Sequence, residues 1–310
     1  MNPTVSKLQK LCIDTECHAI FLLNSSLIKR VVGESPEQAV LVVFPDTFKL
    51  VSSYMNKHLL TGMPEENIVF SDSLVWVDAL MEIAARDCER VGFDPFRTVS
   101  AFQILADSQL ELHWIDLSEE LTTAISVKPQ NEIKKISKAV HVTEYAISDV
   151  MAGLKDGVSE AETAKMLNIS LMEQTGESPA FPAMVAFGAN TANPHWLSGE
   201  RTLKPGDIIT VDCGASLKGQ RADIARTFFW RDADDLQLQR HRCLKETMSL
   251  LINHIQPGVS GRELATLCMS HLRKVNLHKH CPYPIGHGIG FEVHEYPAIT
   301  LDSEDVLMID

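Results

Sequence analysis

The sequence contains no apolar run long enough to cross a membrane. Its longest candidate, residues 39–44, has the length and composition of a buried strand, whereas a transmembrane helix needs about 20 apolar residues. The amino terminus also lacks the apolar segment and small-residue cleavage site of a secretory signal. These absences exclude a membrane-spanning protein and predict a cytoplasmic one.

A disulfide framework and an excess of basic residues are missing as well. The seven cysteines are odd in number, scattered, and never arranged as C-x-x-C, which is typical of reduced thiols rather than of a stapled secreted domain. The chain has 28 Lys and Arg against 41 Asp and Glu, for a formal charge of −13. That charge opposes binding to nucleic acid or to an anionic membrane.

What the chain does have is enough apolar residues for a core. With 45% hydrophobic and 22% charged residues over 310 positions, the composition is that of a globular protein, and the length fits two domains. Short β-rich segments at 19–23, 39–44 and 68–70 alternate with helical segments such as 73–88. This alternation predicts a small α/β domain at the amino terminus.

The domain boundary is predicted near residues 126–131. Pro129 breaks any helix and Asn131 can cap the next one, so we expect domains at 1–127 and 128–310. Apolar residues from position 133 onward recur three, four or seven apart, which predicts an amphipathic helix ending near Gly153.

A short pattern occurs twice in the second domain. Residues 157–162 read GVSEAE and residues 258–263 read GVSGRE. Each is a capping box, in which the serine oxygen accepts a backbone N–H three residues on and the glutamate reaches back. Because capping boxes are common, chance is one explanation; the other is two related halves that share one core, with a site between them.

Between the repeats, residues 208–214 and 221–230 predict a β-hairpin. If Leu217 and Lys218 form its loop, Asp212 stands directly opposite Asp223, with Cβ atoms about 5 Å apart. Two negative charges at that distance repel by roughly 3 kcal/mol at an effective dielectric constant near 20, so a buried pair needs a cation. The pair therefore predicts a divalent-metal site; two solvent-exposed aspartates are the alternative.

Three histidines are candidates to join this pair. His195 follows Asn-Pro in a turn-forming context. His287 and His294 flank a segment whose glycines oppose a helix and let the backbone approach a ligand closely. We expect His287 on a tight loop and residues 291–295 in a short strand, with a bend at one of the glycines bringing the two histidines together.

Three other kinds of site are excluded or disfavoured by the sequence of this region. The glycines at 286–290 do not match the dinucleotide-binding pattern G-x-G-x-x-G, and His294 lacks the second histidine of H-E-x-x-H. His278, His280 and Cys281 have no matching ligand pair elsewhere, so we interpret them as surface residues rather than as a structural zinc site.

Taken together, His195, VDCGA around Asp212, DIARTF from Asp223, and GHGIGFEVHEYP at 286–297 resemble metallopeptidase family M24, which contains aminopeptidase P, prolidase and methionine aminopeptidase. The resemblance covers the whole chain. It implies an α/β amino-terminal domain like that of creatinase and prolidase. The implied second domain is an α+β catalytic domain with the pita-bread fold and two pseudo-symmetric halves.

The resemblance also implies the chemistry. It makes Asp212, Asp223 and His287 metal ligands, and it makes His195 and His294 catalytic groups that donate protons or stabilise the tetrahedral intermediate. The implied cofactors are two divalent ions, manganese first and cobalt or zinc as alternatives, whose bound hydroxide attacks an Xaa-Pro peptide bond. The implied partners are a peptide with proline at its second position and a second copy of the chain in a homodimer.

The chain departs from the family pattern in one respect. Members of the family complete the site with two later glutamates, one of them in an E-P-G turn, and this sequence has neither. Glu304 and Asp310 stand in other contexts, and we do not assign them as ligands. We therefore expect a C-terminally incomplete catalytic domain. An inactive binding or scaffold protein and a creatinase-like C–N hydrolase are the alternatives to an active Xaa-Pro peptidase.

Overall fold

The structure is a computed structural model that describes residues 2–34, 36–72, 74–94, 111–281 and 284–309. The chain divides into two compact units, Met1–Ile125 and Ser126–Asp310. No helix in these described ranges is both long and apolar enough to span a bilayer. All seven cysteines are free thiols, as expected, and six of them are buried.

The first unit is built on a six-stranded mixed sheet. Its strands and helices are α1 (Pro3–Asp14), β1 (Ala19–Leu22), α2 (Ser25–Val32), β2 (Ala39–Val43), β3 (Phe48–Ser53), β4 (Ile68–Ser71), α3 (Val75–Ala84), β5 (Arg90–Phe93), β6 (His113–Asp116) and α4 (Ser118–Ser126). The strand order is β4-β3-β2-β1-β5-β6. The β1–β2 and β2–β3 pairs are antiparallel, and the other three are parallel.

Both faces of this sheet are covered. Every residue of β1 and β2 is buried, because α1 and α2 pack on one face and α3 on the other. The predicted α/β class is therefore confirmed. The helix predicted at 73–88 is shorter, since α3 ends at Ala84 and Asp87 takes a positive φ of 53°; its predicted first position, 73, lies outside the described residues.

The second unit pairs helices with short antiparallel sheets. Its elements are α5 (Gln130–Gly153), α6 (Glu160–Thr175), β7 (Phe181–Phe187), β8 (Ile208–Gly214), β9 (Ser216–Leu217), β10 (Gln220–Arg221), β11 (Ile224–Phe229), α7 (Asp235–His254), α8 (Gly261–Arg273), β12 (Gly286–Gly288) and β13 (Glu295–Ile299). The sheets are β11-β8-β7, β9-β10 and β12-β13. The core lies between α5 and α6 and the β7–β8–β11 sheet.

The long helix α5 begins earlier than expected. Its first residue is Gln130, and Pro129 occupies the N-cap position without a side-chain cap. The expectation that Asn131 caps the helix is wrong, because its side-chain oxygen accepts only from the adjacent Glu132 N–H. Proline fixes the φ angle that starts a helix and lacks the N–H that would need a cap.

The repeated pattern reflects two related halves. Both capping boxes are formed, by Ser159 with Glu162 and by Ser260 with Glu263. The equivalent backbone bonds are Gly157 N to Leu203 O at 3.0 Å and Gly258 N to Leu307 O at 2.8 Å, with returning bonds from each leucine N–H to Val158 or Val259 at 2.9 Å. Equivalent bridges follow between Ser159 and Thr202 and between Ser260 and Val306. Chance does not explain this agreement in hydrogen bonding.

The predicted hairpin exists in a different register. Its turn is Lys218-Gly219, with positive φ at both residues, as a two-residue hairpin turn of type I′ requires. Asp212 therefore pairs with Ala225 rather than with Asp223. Because the shift is two positions and side chains alternate every residue, Asp223 stays on the face of Asp212.

One glycine of the repeat can be tested by substitution. A methyl group at Gly261 would overlap the carbonyl oxygen of Ala298, whereas nothing lies within 4 Å of one at Gly153. We expect Gly261→Ala to lower the free energy of unfolding by about 1–3 kcal/mol and Gly153→Ala to leave it unchanged or slightly raised. Urea denaturation of both variants measures the difference; equal effects would contradict the close contact between α8 and β13.

Candidate metal centre

The centre is built around two aspartates of the hairpin. Asp212 lies on β8 and Asp223 lies just before β11, and the two carboxyl groups are close enough for Asp223 to affect the pKa of Asp212. Burial, and then the nearby Asp223 charge, raise the pKa of Asp212 to about 6, against a smaller opposing effect of His287. One carboxylate oxygen of Asp212, Oδ1, is buried without a hydrogen-bond partner. The two carboxyl groups are therefore neighbours whose negative charge is not fully balanced, and one Asp212 oxygen is available as a metal ligand.

His287 joins the pair from β12. Its Nε2 lies 3.4 Å from Oδ2 of Asp223, and its Nδ1 lies 2.9 Å from the carbonyl oxygen of Gly288. A proton on Nδ1 satisfies that carbonyl and leaves the Nε2 lone pair facing the carboxylates, which is the arrangement of metal-binding histidines. When the ring is protonated, Nε2 instead donates toward Asp223, and this interaction raises the pKa of His287 against the opposing effect of burial.

His294 approaches the same point from the following loop. Potential ligand atoms of Asp223, His287 and His294 all lie within 4.8 Å of one another, and the two imidazole rings have centroids 4.3 Å apart. The bend expected between the histidines is present. The local prediction was wrong, however: His287 lies on a strand, and residues 291–294 form a loop before β13 begins at Glu295. A register shift between His287 and Gly288 accompanies this bend.

The residues present fit a divalent metal ion. Two carboxylates and two imidazoles suit Mn²⁺, Co²⁺ or Zn²⁺, and the partnerless oxygen of Asp212 is a ready ligand atom. Within the described ranges, Asp223, His287 and His294 form the one group of three or more potential ligands whose atoms meet, and Asp212 is not a member of that group. Of the residues interpreted as surface residues, His280 is exposed, whereas His278 and Cys281 are partly buried.

His195 and Glu304 are not members of this cluster. His195 is exposed in the turn between the 3₁₀ helix Gly188–Ala192 and β8, and it is not a member of the group of ligand atoms. Its catalytic role stays a prediction. Glu304 is exposed and pairs with Arg262 at 3.3 Å, while Asp310 lies outside the described residues.

The loop carrying the histidines is fixed by contacts that the sequence did not reveal. The Lys128 ammonium lies 2.8 Å from the Glu295 carboxylate, with side chains 10% and 4% exposed. The same carboxylate accepts from the Glu292 N–H. Gly290, whose carbonyl accepts from Arg221 N–H, has no room for a side chain beside it. Lys128 and Glu295 are far apart in sequence, so no local pattern predicts their contact.

In the metal-free protein, Asp212→Asn should stabilise the fold at pH 7.5 but not at pH 4. A raised carboxyl pKa favours folding at low pH, and this contribution is lost as pH rises from the unfolded value near 4 through about 6. Since Asp212 is only partly buried, the loss is on the order of 1 kcal/mol. Thermal unfolding of both proteins after chelation measures this change in stability. A stability difference between variant and wild type that does not depend on pH would contradict the raised pKa of Asp212.

Glu295→Gln should destabilise the protein far more than Asp46→Asn. The first change leaves the buried Lys128 without its counter-charge, at a cost of roughly 3 kcal/mol or more. The second removes a carboxylate from the exposed Arg86–Asp46 pair, which is 2.6 Å long and contributes less than about 1 kcal/mol. Urea denaturation compares them, and similar losses would mean that the Lys128–Glu295 pair is not a structural constraint.

Known proteins resemble this chain in sequence and in fold. An uncharacterized peptidase of Bacillus subtilis is 27% identical over 224 residues, covering 71% of this chain and 62% of that protein. A Xaa-Pro dipeptidase of Pyrococcus horikoshii is 26% identical over 181 residues, covering 58% and 52%. The chain thus spans only about half to three fifths of the length of these relatives.

The structural likeness is closer. The solved Xaa-Pro dipeptidase from Bacillus anthracis superposes with a TM-score of 0.90 at 23% identity, covering 98% of this chain and 86% of that one. The prolidase from Pyrococcus horikoshii gives 0.90 at 19% identity, covering 99% and 87%. This likeness confirms the expected fold. The model of metallopeptidase family M24 matches residues 134–308, which hold both aspartates and both clustered histidines, and the chain belongs to that family.

Proposed function

We propose that this protein is a divalent-metal-dependent peptidase that cleaves peptide bonds before proline. The observation that carries the proposal is the convergence of Asp223, His287 and His294 with the Asp212 carboxyl in a chain of the M24 family. Relatives named Xaa-Pro dipeptidase support the preference for proline.

Each residue has a role that its position allows. Asp212, Asp223 and His287 would hold the metal: all three are partly buried, Asp223 and His287 lie 3.4 Å apart, and both are close enough to Asp212 to affect its pKa. A bound divalent ion supplies Lewis acidity that polarises a carbonyl group and favours ionisation of a water molecule. His294 is exposed beside this group and can donate a hydrogen bond or proton to the departing proline nitrogen.

The two-metal arrangement and the role of His195 belong to the same proposal. The carboxylates of Asp212 and Asp223 each carry two oxygens, and together with the imidazoles they would supply ligand atoms for a second ion. His195 lies in an exposed turn, and its proposed role is to donate to the peptide carbonyl or its developing oxyanion. Peptides with proline at the second position are therefore the proposed substrates.

Asp223→Ala should abolish metal binding, whereas Asp149→Ala should not. Asp223 contacts both the Asp212 carboxyl and His287, so its loss removes a shared ligand; Asp149 is an exposed residue of α5. Elemental analysis after dialysis against Mn²⁺ gives the metal per chain. Hydrolysis of a Xaa-Pro dipeptide, a Xaa-Pro tripeptide and a matched Xaa-Ala dipeptide gives activity and proline preference.

The outcomes separate the alternatives. Metal content and turnover that are lost together in Asp223→Ala support the proposal, and the metal count in the wild-type chain distinguishes one ion from two. Unchanged metal content in the variant would refute the site. Metal binding without turnover would instead indicate an inactive binding protein of the same fold.

A further inference from the structure

A second buried carboxylate organises the segment around His195. Glu160, the first residue of α6, is 0% exposed and accepts four hydrogen bonds. They come from Phe187 N at 2.7 Å and Asn190 Nδ2 at 2.9 Å to one oxygen, and from Trp196 Nε1 at 2.8 Å and Gly199 N at 3.2 Å to the other. The donors lie at the end of β7, in the following 3₁₀ helix and in the loop beyond it.

Helix capping does not require this glutamate. Ser159 and Glu162 already form the capping box of α6. The second repeat forms the same box with Ser260 and Glu263, yet it has Gly261 where the first has Glu160, and a side chain there would meet the backbone of β13. The two halves thus share the cap but differ at the position directly after the capping serine. The carboxylate of Glu160 therefore serves the neighbouring segment rather than the helix.

That segment carries His195. The donors Asn190, Trp196 and Gly199 stand on both sides of the histidine in sequence, and residues 193–207 contain no helix or regular strand. A separate bond from Val185 N to the Ser198 hydroxyl, at 2.8 Å, ties the far part of the loop to β7. The only carboxylate among these described anchors is Glu160, and it fixes the backbone before and after His195.

The four donors keep this carboxylate ionised. Burial acts to raise the pKa of Glu160, but hydrogen bonds led by that from Trp196 outweigh it, and the pKa lies below its ordinary value. A charged acceptor forms stronger hydrogen bonds than a neutral one. An amide in place of the carboxylate would present N–H groups to two of the four donors and could not accept from all of them.

We propose that Glu160 is a positioning residue that holds the His195 segment in its working conformation. This inference rests on the proposed peptidase function for its effect on turnover, but the ordering of the segment can be measured independently. Glu160 touches neither the metal ligands nor a substrate in this assignment; it acts through the loop.

The experiment compares three variants of the full chain. Glu160→Gln removes the charge at nearly constant size. Trp196→Phe removes one of the four hydrogen-bond donors and keeps an aromatic ring. It tests the same contact if Glu160→Gln does not fold. Glu162→Gln is the matched control, because it changes an exposed glutamate of the same helix and glutamine also completes a capping box.

Hydrogen exchange of the backbone amides at 187–203 reports the order of the segment. We expect exchange at Trp196–Gly199 to accelerate about tenfold or more in Glu160→Gln and by a smaller factor in Trp196→Phe, since each loses bonds to a charged group. Glu162→Gln should match the wild type. Metal content should be unchanged in all three variants, because none alters a ligand.

Turnover of a Xaa-Pro dipeptide completes the test. We expect kcat in Glu160→Gln to fall about tenfold or more while the metal content stays constant. Unchanged exchange in both Glu160→Gln and Trp196→Phe would overturn the inference, and accelerated exchange with unchanged kcat would overturn its link to His195. An inactive wild type would refute the proposed peptidase instead, and the exchange result would still decide whether Glu160 orders the segment.

Discussion

The candidate centre depends on two neighbouring carboxylates, Asp212 and Asp223, of which Asp212 is partly buried and is destabilised in its charged form by burial and by Asp223. Neighbouring like charges repel each other more strongly where water is partly excluded than in bulk water. In the metal-free protein, burial and then the repulsion from Asp223 raise the pKa of Asp212 to about 6, and protonation of Asp212 relieves the repulsion. A divalent cation relieves it without a proton. The preference for a cation is therefore built into the positions of Asp212 and Asp223.

Contacts between segments distant in sequence hold the two aspartates and the histidine loop in place. The Lys218-Gly219 turn sets the register that leaves both aspartates on one face. The Arg221 N–H then bonds to Gly290 in the histidine loop, and the Lys128–Glu295 pair fixes the end of that loop. These contacts join segments that are distant in sequence, so the ligands converge only in the folded chain.

The two halves use the same helix-capping pattern in two different structural environments. Each half begins its second helix with the same serine–glutamate box and the same backbone bonds to a later leucine. The residue after the serine differs, since Gly261 admits the backbone of β13 and Glu160 gathers the donors around His195. Both halves therefore start the helix with the same geometry, and the residue after the serine fits each helix start to its neighbouring segment.

The sequence by itself determined what depends on local pattern. Alternating β-rich and helical segments gave the α/β class of the first unit, the doubled GVS pattern gave the two halves, and the Asp and His motifs gave the family. These patterns can be recognised without the structure because hydrophobic periodicity and helix capping depend on only a few neighbouring residues. The hairpin register was missed because Leu217-Lys218 and Lys218-Gly219 turns both keep the aspartates on one face.

Only the tertiary structure decided which residues meet. It put His287 on a strand and His294 on a loop, where odd spacing alone would have separated them. It buried Lys128 against Glu295 and enclosed Glu160 with four donors, although nothing near these residues in sequence marks them. Such contacts depend on how strands and helices distant in sequence pack together, and a local pattern carries no information about that packing.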